Sequence, residues 1–162
     1  MRKTAVFAIL IVFLLLSCMT PQPVTKDEGT FSEVINVPGM QSNDIFIKTN
    51  LWFVDAFKSS NNVIEFSNEQ QGVIKGKYNF ETHFNTTPIR VFQTITVEAR
   101  DERYRITFSD PYFQNSTITS MSSTFNTYPL DKRLLEQTKA QWESMSDSLR
   151  NFILSEQEQS EW

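Results

Sequence analysis

The chain is poor in the residues that most often carry chemistry. Its 162 residues include one cysteine, Cys18, one histidine, His83, and four glycines. A single cysteine excludes a disulfide within the chain and leaves no thiol pair for a metal site. A lone histidine cannot form a two-histidine metal site. Gly29, Gly39, Gly72 and Gly76 are scattered, so no glycine-rich loop cradles a phosphate. Basic residues are outnumbered 15 to 19 by acidic ones. That balance argues against a nucleic-acid partner, which needs a basic surface. The longest apolar run, Ala5 to Leu16, has twelve residues. A membrane-spanning helix needs about twenty.

What is present is an aromatic-rich chain, 13% Phe, Trp and Tyr, with 14 phenylalanines. That is ample for a packed core. With 21% charged residues the chain does not read as disordered. Its length predicts one domain.

The amino terminus reads as an export signal over residues 1–17. Arg2 and Lys3 precede the apolar run, which has the length of a signal-peptide core. The run ends in Leu15-Leu16-Ser17-Cys18. This ending resembles the lipobox of bacterial lipoproteins: Leu at −3, a small residue at −1, then cysteine. Leu16 departs from the small or β-branched residue usual at −2. The resemblance implies cleavage before Cys18, acylation of Cys18 and anchoring to membrane lipid. Several acyl chains anchor stably where one is marginal. An uncleaved signal anchor, or a plain secretory peptide with an incidental Cys18, is the alternative. Loss of Arg2 and Lys3 leaves 13 basic against 19 acidic residues, a net charge of −6. Residues 18–30, with Pro21 and Pro23, read as a tether. Its Met19 to Gly29 portion spans at most roughly 35 to 40 Å.

The folded domain is expected over residues 31–158. Its centre is Ile89 to Phe108, which alternates as two strands folded back on each other. With a turn at Asp101-Glu102, Ala99 faces Tyr104, Val97 faces Ile106 and Ile95 faces Phe108 on an apolar side. Glu98 then faces Arg105, and Thr96 faces Thr107, on a polar side. Phe31 to Val37 predicts a first strand. Asp44 to Phe57 predicts a helix burying Ile45, Ile47, Leu51, Trp52, Val54 and Phe57, with Ser42 or Asn43 as cap. Val63 to Ser67 predicts a strand with Ile64 and Phe66 on one face. Val73 to Phe80 predicts another, in which Gly76 marks a bulge or close approach of the helix backbone. Residues 80–88 read as a polar loop holding His83. Residues 110–129 read as a Ser/Thr-rich loop or edge strand, Ser116 to Met121 being the strand candidate, pinned by Tyr112, Phe113, Phe125 and Tyr128. Residues 130–158 predict a helix whose seam is Leu135, Thr138, Trp142, Met145, Leu149 and Phe152. Lys132/Glu136 and Lys139/Glu143 add support at i, i+4. The fold class is α+β: strand, helix, four strands, helix.

Val63 to Tyr78 carries an apolar strand, a Gln-Gln-Gly turn and Ile74-Lys75-Gly76-Lys77. Val97 to Phe108 carries Arg103-Tyr104-Arg105. Together they resemble a family of envelope lipoprotein domains of unknown function with a fold like the TATA-binding protein. The resemblance covers Phe31 to Phe108. It implies a curved antiparallel sheet with both helices on one face. It brings no catalytic residues, and it does not imply DNA binding, because fold is not function.

Candidate sites are few. His83 can act as a general base but has no nucleophile or second ligand beside it; a solvated loop histidine is the plainer reading. Asp101, Glu102 and Asp110 flank the hairpin and would suit glycoside hydrolysis only if two were held about 5 to 9 Å apart in a cleft. Turn chemistry accounts for them more simply. No catalytic residue, metal or cofactor is expected. The polar face of the sheet offers Lys75, Lys77, Phe92 and Arg105 as a candidate binding face for an acidic glycan, a lipid headgroup or an envelope protein. An ordinary solvated sheet face is the alternative.

The sequence therefore points to a lipid-anchored accessory or binding module of the bacterial cell envelope, on the periplasmic side or the cell surface, with no nucleic-acid partner. A hydrolase of envelope polymers and a structural lipoprotein self-associating through its last helix are the alternatives.

Overall fold

A computed structural model describes residues 24–57, 63–84, 86–118 and 123–155. The proposed leader and Cys18 lie outside them. The elements are β1 (Phe31–Asn36), α1 (Ser42–Phe57), β2 (Ile64–Asn68), β3 (Val73–Phe84), β4 (Thr87–Arg100), β5 (Arg103–Ile118), β6 (Ser123–Pro129) and α2 (Lys132–Leu154). The expected α+β order holds, with one further strand before the last helix. The strands form one antiparallel sheet in the order β1-β5-β4-β3-β2, and β6 also pairs with β5.

The central hairpin has the register its alternation demands: Ala99 opposite Tyr104, Val97 opposite Ile106, Ile95 opposite Phe108, Glu98 opposite Arg105 and Thr96 opposite Thr107. Its tip is Asp101-Glu102, with Glu102 at φ 62°. That left-handed backbone is held from outside. The Glu102 N–H donates to the Met40 carbonyl, and its own carbonyl accepts from the Val37 N–H, both at 2.8 Å.

The Ser/Thr-rich stretch is strand on both sides of residues 119–122, which lie outside the described residues, as does the last part of the Ser116 to Met121 candidate. Residues 110–118 prolong β5, and Ser123–Pro129 folds back as β6, pairing from Ser123 opposite Ile118 to Pro129 opposite Tyr112. A bulge makes this possible. The β4–β5 register shifts between Phe92 and Thr94, where Asp110 sits at φ 53°. Pro111 brings no N–H to the ladder. Before the bulge the free edge of β5 takes β1; beyond it the same edge takes β6. Phe113 stacks on Tyr128 at 5.1 Å and on Phe84 at 6.0 Å, pinning the far half.

Other expectations shift for local reasons. A bulge between Ile64 and Phe66 places Ile64 opposite Gly76 but Phe66 opposite Lys75, so the two face opposite sides. Phe66 is left 46% exposed. The bulge lies opposite Gly76, and the close approach there is of the Val63 backbone, not the helix backbone: a Cβ would meet the Val63 carbonyl at 2.8 Å and the Phe53 ring at 3.1 Å. Residues 80–84 continue β3, so His83 stands exposed on a strand. Residues 24–30 are not free tether. Val24 donates its N–H to Leu130 at 3.2 Å, and Glu28 meets Lys132 at 3.0 Å.

Both helices pack on one face of the sheet. α1 buries Ile45, Phe46, Thr49, Trp52 and Phe53, rotated from the expected stripe, and leaves Ile47, Leu51 and Val54 exposed. α2 starts on Asp131, whose carboxylate accepts from the Arg133 and Leu134 N–H groups. This satisfies two of the four orphan donors of the helix start. Its buried side is Leu134, Leu135, Thr138, Trp142, Met145, Ser146, Leu149 and Ile153. The seam proposed for self-association is thus largely consumed by the core, with Phe152 half-buried at its end. Lys132 pairs with Glu28, and Lys139 with Glu136, in place of the expected i, i+4 partners. Trp142 stacks against Phe108 at 6.1 Å, and its indole N–H donates to Gln93 Oε1. The helices tie to each other through Trp52 Nε1 to Ser148 Oγ at 3.1 Å and Lys48 Nζ to the Ile153 carbonyl at 2.7 Å. Lys48 thereby fills an orphan carbonyl at the end of α2.

Candidate functional site

The outer face of the sheet carries every residue assigned to it from sequence. Pairing sets Lys75 beside Thr96, Lys77 beside Thr94, and Glu98 and Thr96 beside Arg105 and Thr107. The four candidate binding residues share this face but do not converge. Arg105 is on β5 and Lys75 on β3, with β4 between them, about 10 Å apart at the usual strand spacing. Lys77 is paired with Glu65 at 2.8 Å, which raises its pKa. Arg105 meets Glu98 at 2.9 Å. Phe92 is covered by Tyr112, ring to ring at 5.1 Å and 6°. Lys75 alone of the three cations has no ion-pair partner among the described residues.

A different part of the same face does converge. Arg100 and Arg103 pair across the hairpin next to its tip, and Arg105 follows one step along. With Glu98, Tyr104 and Val34 of β1 they line a concavity of about 290 Å³. Sequence order gives Arg100 and Arg103 two natural partners, Asp101 and Glu102. The fold directs those carboxylates elsewhere. Asp101 Oδ1 accepts the Ser42 N–H at 2.9 Å, and Glu102 Oε1 accepts the Gly39 N–H at 3.2 Å. The Ser42 backbone N–H, helped by its side chain, holds the Asp101 carboxyl below the usual aspartate range. Asp101 latches the start of α1, and Glu102 the turn before it, to the hairpin tip, so turn chemistry is their role. Arg100 donates instead to the Gln71 carbonyl at 2.9 Å, and Arg103 has no ion pair among the described residues.

The acids considered for hydrolysis do not converge either. Strand β5 runs from Glu102 toward Asp110, separating them by about 25 Å at the usual rise. Asp110 accepts from the neighbouring Ser109 hydroxyl at 2.9 Å. Among the described residues no group of three or more His, Cys, Asp or Glu is placed to hold a metal ion. None of the described helices is long and apolar enough to cross a membrane.

Two polar atoms in the core lack partners among the described residues: Gln93 Nε2 and the Tyr104 hydroxyl. Burial pushes the Tyr104 pKa up, Arg150 opposing and Glu33 and Asp147 adding to the shift. Glu33, an inward residue of β1, is held by the Ser146 hydroxyl at 2.7 Å and by Arg150 at 2.6 Å.

Sequence reading reached Arg105 and missed Arg100, Arg103 and Val34. The available signal was an Arg-Asp-Glu-Arg run at the turn, which reads as self-neutralising until the carboxylates are seen to be occupied.

No curated protein matches the chain. Two solved structures share its fold at low identity. A TBP-like protein from Parabacteroides distasonis is 16% identical, with a TM-score of 0.59 over 80% of this chain and 97% of that one. A DUF4468 family protein from Bacteroides ovatus is also 16% identical, with a TM-score of 0.61 over 85% of this chain and 93% of that one. The family model described as a domain of unknown function with TBP-like fold, DUF4468, matches residues 31–114, just over half of the 162. The chain belongs to the DUF4468 family.

Proposed function

We propose that this protein is a lipid-anchored binding or accessory module of a bacterial envelope, held by acylated Cys18 and engaging its partner with the outer face of the sheet. The observation that carries the reading is Leu15-Leu16-Ser17-Cys18 at the end of a twelve-residue apolar run behind Arg2-Lys3. The division of the sheet supports it. Both helices cover the inner face, and the outer face leaves Lys75, Lys77 and Arg105 exposed. Anchoring through an acylated terminus leaves the whole domain free to meet an envelope protein or an acidic glycan. The acidic net charge supports a partner other than nucleic acid.

The test has two parts. Cells grown with radiolabelled palmitate should incorporate label into the wild-type chain, and Cys18→Ala should abolish it and release the protein from the membrane fraction. Crosslinking in the intact envelope, followed by recovery of the full-length chain, should then yield a discrete partner that the Cys18→Ala control loses. Label retained in Cys18→Ala would overturn the anchor. Detection of a covalent intermediate or turnover of an envelope polymer would overturn the binding-module reading.

A further inference from the structure

We infer that the concavity at the tip of the β4–β5 hairpin is an oxyanion-binding site, with Arg100, Arg103 and Arg105 as its cationic wall and a carboxylate or phosphate group as its ligand. This rests on taking the outer face as the binding surface, and it identifies which part of that face binds and what chemistry it recognises.

The first ground is the charge left over after pairing. Three guanidiniums and one carboxylate line the concavity. Glu98 is engaged by Arg105 at 2.9 Å, and the nearby Asp101 and Glu102 carboxylates are held by backbone amides on the far side of the turn. Arg100 and Arg103 therefore carry charge that no described carboxylate neutralises, on a protein that is acidic as a whole. A concave surface with one sign of charge concentrates the potential and draws the opposite charge.

The second ground is that the backbone fixes all three arginines in register and contacts orient the heads of Arg100 and Arg105. They belong to adjacent positions of a paired ladder, Arg100 opposite Arg103 and Arg105 opposite Glu98. The Arg100 head is oriented by the Gln71 carbonyl at 2.9 Å and by the Ala99 carbonyl at 3.4 Å. The hairpin tip beneath them is tied to the β1–α1 connection by the contacts of Glu102 and Asp101. A planar fork of donors held in place suits bidentate pairing with a carboxylate or phosphate.

The third ground is size and lining. About 290 Å³ lies at the small end of ligand sites, which run from roughly 300 to 1,000 Å³. It takes one charged unit or the end of a chain, not a length of polymer. Val34, 57% exposed, gives one apolar wall that can lie against the C–H face of a sugar. A carboxylate-bearing sugar and a phosphate share the chemistry the arginines read, and the choice of probe separates them.

The test uses the full folded chain, with glucuronate and inorganic phosphate titrated separately at physiological salt and the arginine Nε–H signals followed by NMR. Saturable shifts at Arg100, Arg103 and Arg105 with either probe support the site, and the probe that saturates first names the source. Arg100→Gln with Arg103→Gln should weaken that binding roughly tenfold or more, as expected for lost charge-assisted hydrogen bonds. Arg103→Lys, which keeps the charge and loses the fork, should also weaken it. Lys75→Ser with Lys77→Ser should leave it unchanged. No saturable shift with either probe overturns the site. Equal weakening by the lysine and arginine pairs overturns it too, because the attraction would then be diffuse. In the envelope crosslinking experiment, a partner lost with Cys18→Ala but kept by Arg100→Gln/Arg103→Gln would overturn this site and leave the anchored-module reading in place.

Discussion

On β4 and β5 the same two strands send Ile95, Val97, Ala99, Tyr104, Ile106 and Phe108 toward the helices and Thr96, Glu98, Arg105 and Thr107 away from them. The inner set is nearly sealed: none of its six members exceeds 1% exposure. The outer set meets water and satisfies itself in cross-strand pairs such as Arg105–Glu98 and the Ser32–Thr107 hydroxyl contact at 3.0 Å. The inner face holds the fold together because burial of apolar area is the dominant favourable term in folding. The outer face adds little to stability, since exposed ion pairs rarely exceed about 1 kcal/mol. A residue there is thus free to be chosen for what it binds.

The sharpest way to break this contrast is to empty the inner face. Phe108→Ala removes a ring that stacks on Trp142 and packs at a tilt against Phe31, and should cost about 3–5 kcal/mol, read as a lower urea midpoint. A loss below about 1 kcal/mol would show that the core collapses around the gap. Gly76→Ala drives a methyl into the Val63 carbonyl and the Phe53 ring, so a loss of about 1–3 kcal/mol is expected from the same titration.

Two substitutions should separate the faces by sign. Arg105→Gln on the outer face should lower stability by no more than about 1 kcal/mol, and high salt should shrink the difference. Tyr104→Phe on the inner face removes a buried hydroxyl that has no partner among the described residues. Thermal unfolding should show no loss, or a gain within about 1 kcal/mol. A clear loss would reveal a bound water or partner at that hydroxyl.

The smallest effect is electrostatic. The folded-state pKa of Asp101 lies below its ordinary value of 3.8, through the Ser42 N–H. Its contribution is therefore full above the unfolded pKa and disappears as the pH falls through the folded one. Asp101→Asn should melt below the wild type near neutral pH and converge with it in strong acid. A difference that persists unchanged at low pH would remove the charged latch. Glu28, held down to about 2 by the Thr25 backbone N–H and then by Lys132, should behave the same way at the other end of the domain.

Periodicity made the central hairpin legible to the residue, because a period of two admits only one register that buries an entire apolar side. It made α2 legible for the same reason at a period near 3.6. It failed on α1. Ile47, Leu51 and Val54 are as apolar as the residues that were buried, and only the position of the sheet selects Phe46 and Phe53 instead. Gly76 hinted at one bulge without giving its consequence, and nothing in the alternation signalled the other. A single inserted residue opposite Gly76 turned Phe66 outward, and Asp110 with Pro111 let one edge of β5 serve two strands. The candidate site shared this limit: Lys75, Lys77, Phe92 and Arg105 were placed on the correct face, yet what converges there depends on which neighbours already hold them.

By itself the sequence determined the class of fold, the hairpin at its centre and the face each of its residues takes, because alternation and apolar burial are local patterns with one low-energy solution. Tertiary structure alone decided where charge remains unpaired. Asp101 and Glu102 neighbour Arg100 and Arg103 in the chain, but they hydrogen-bond to Ser42 and Gly39, more than fifty residues away. An amide that would otherwise lack a partner at a helix start is worth more to a carboxylate than a solvated guanidinium nearby. The arginines are left facing the concavity, and that outcome could be read only once the chain had folded back on itself.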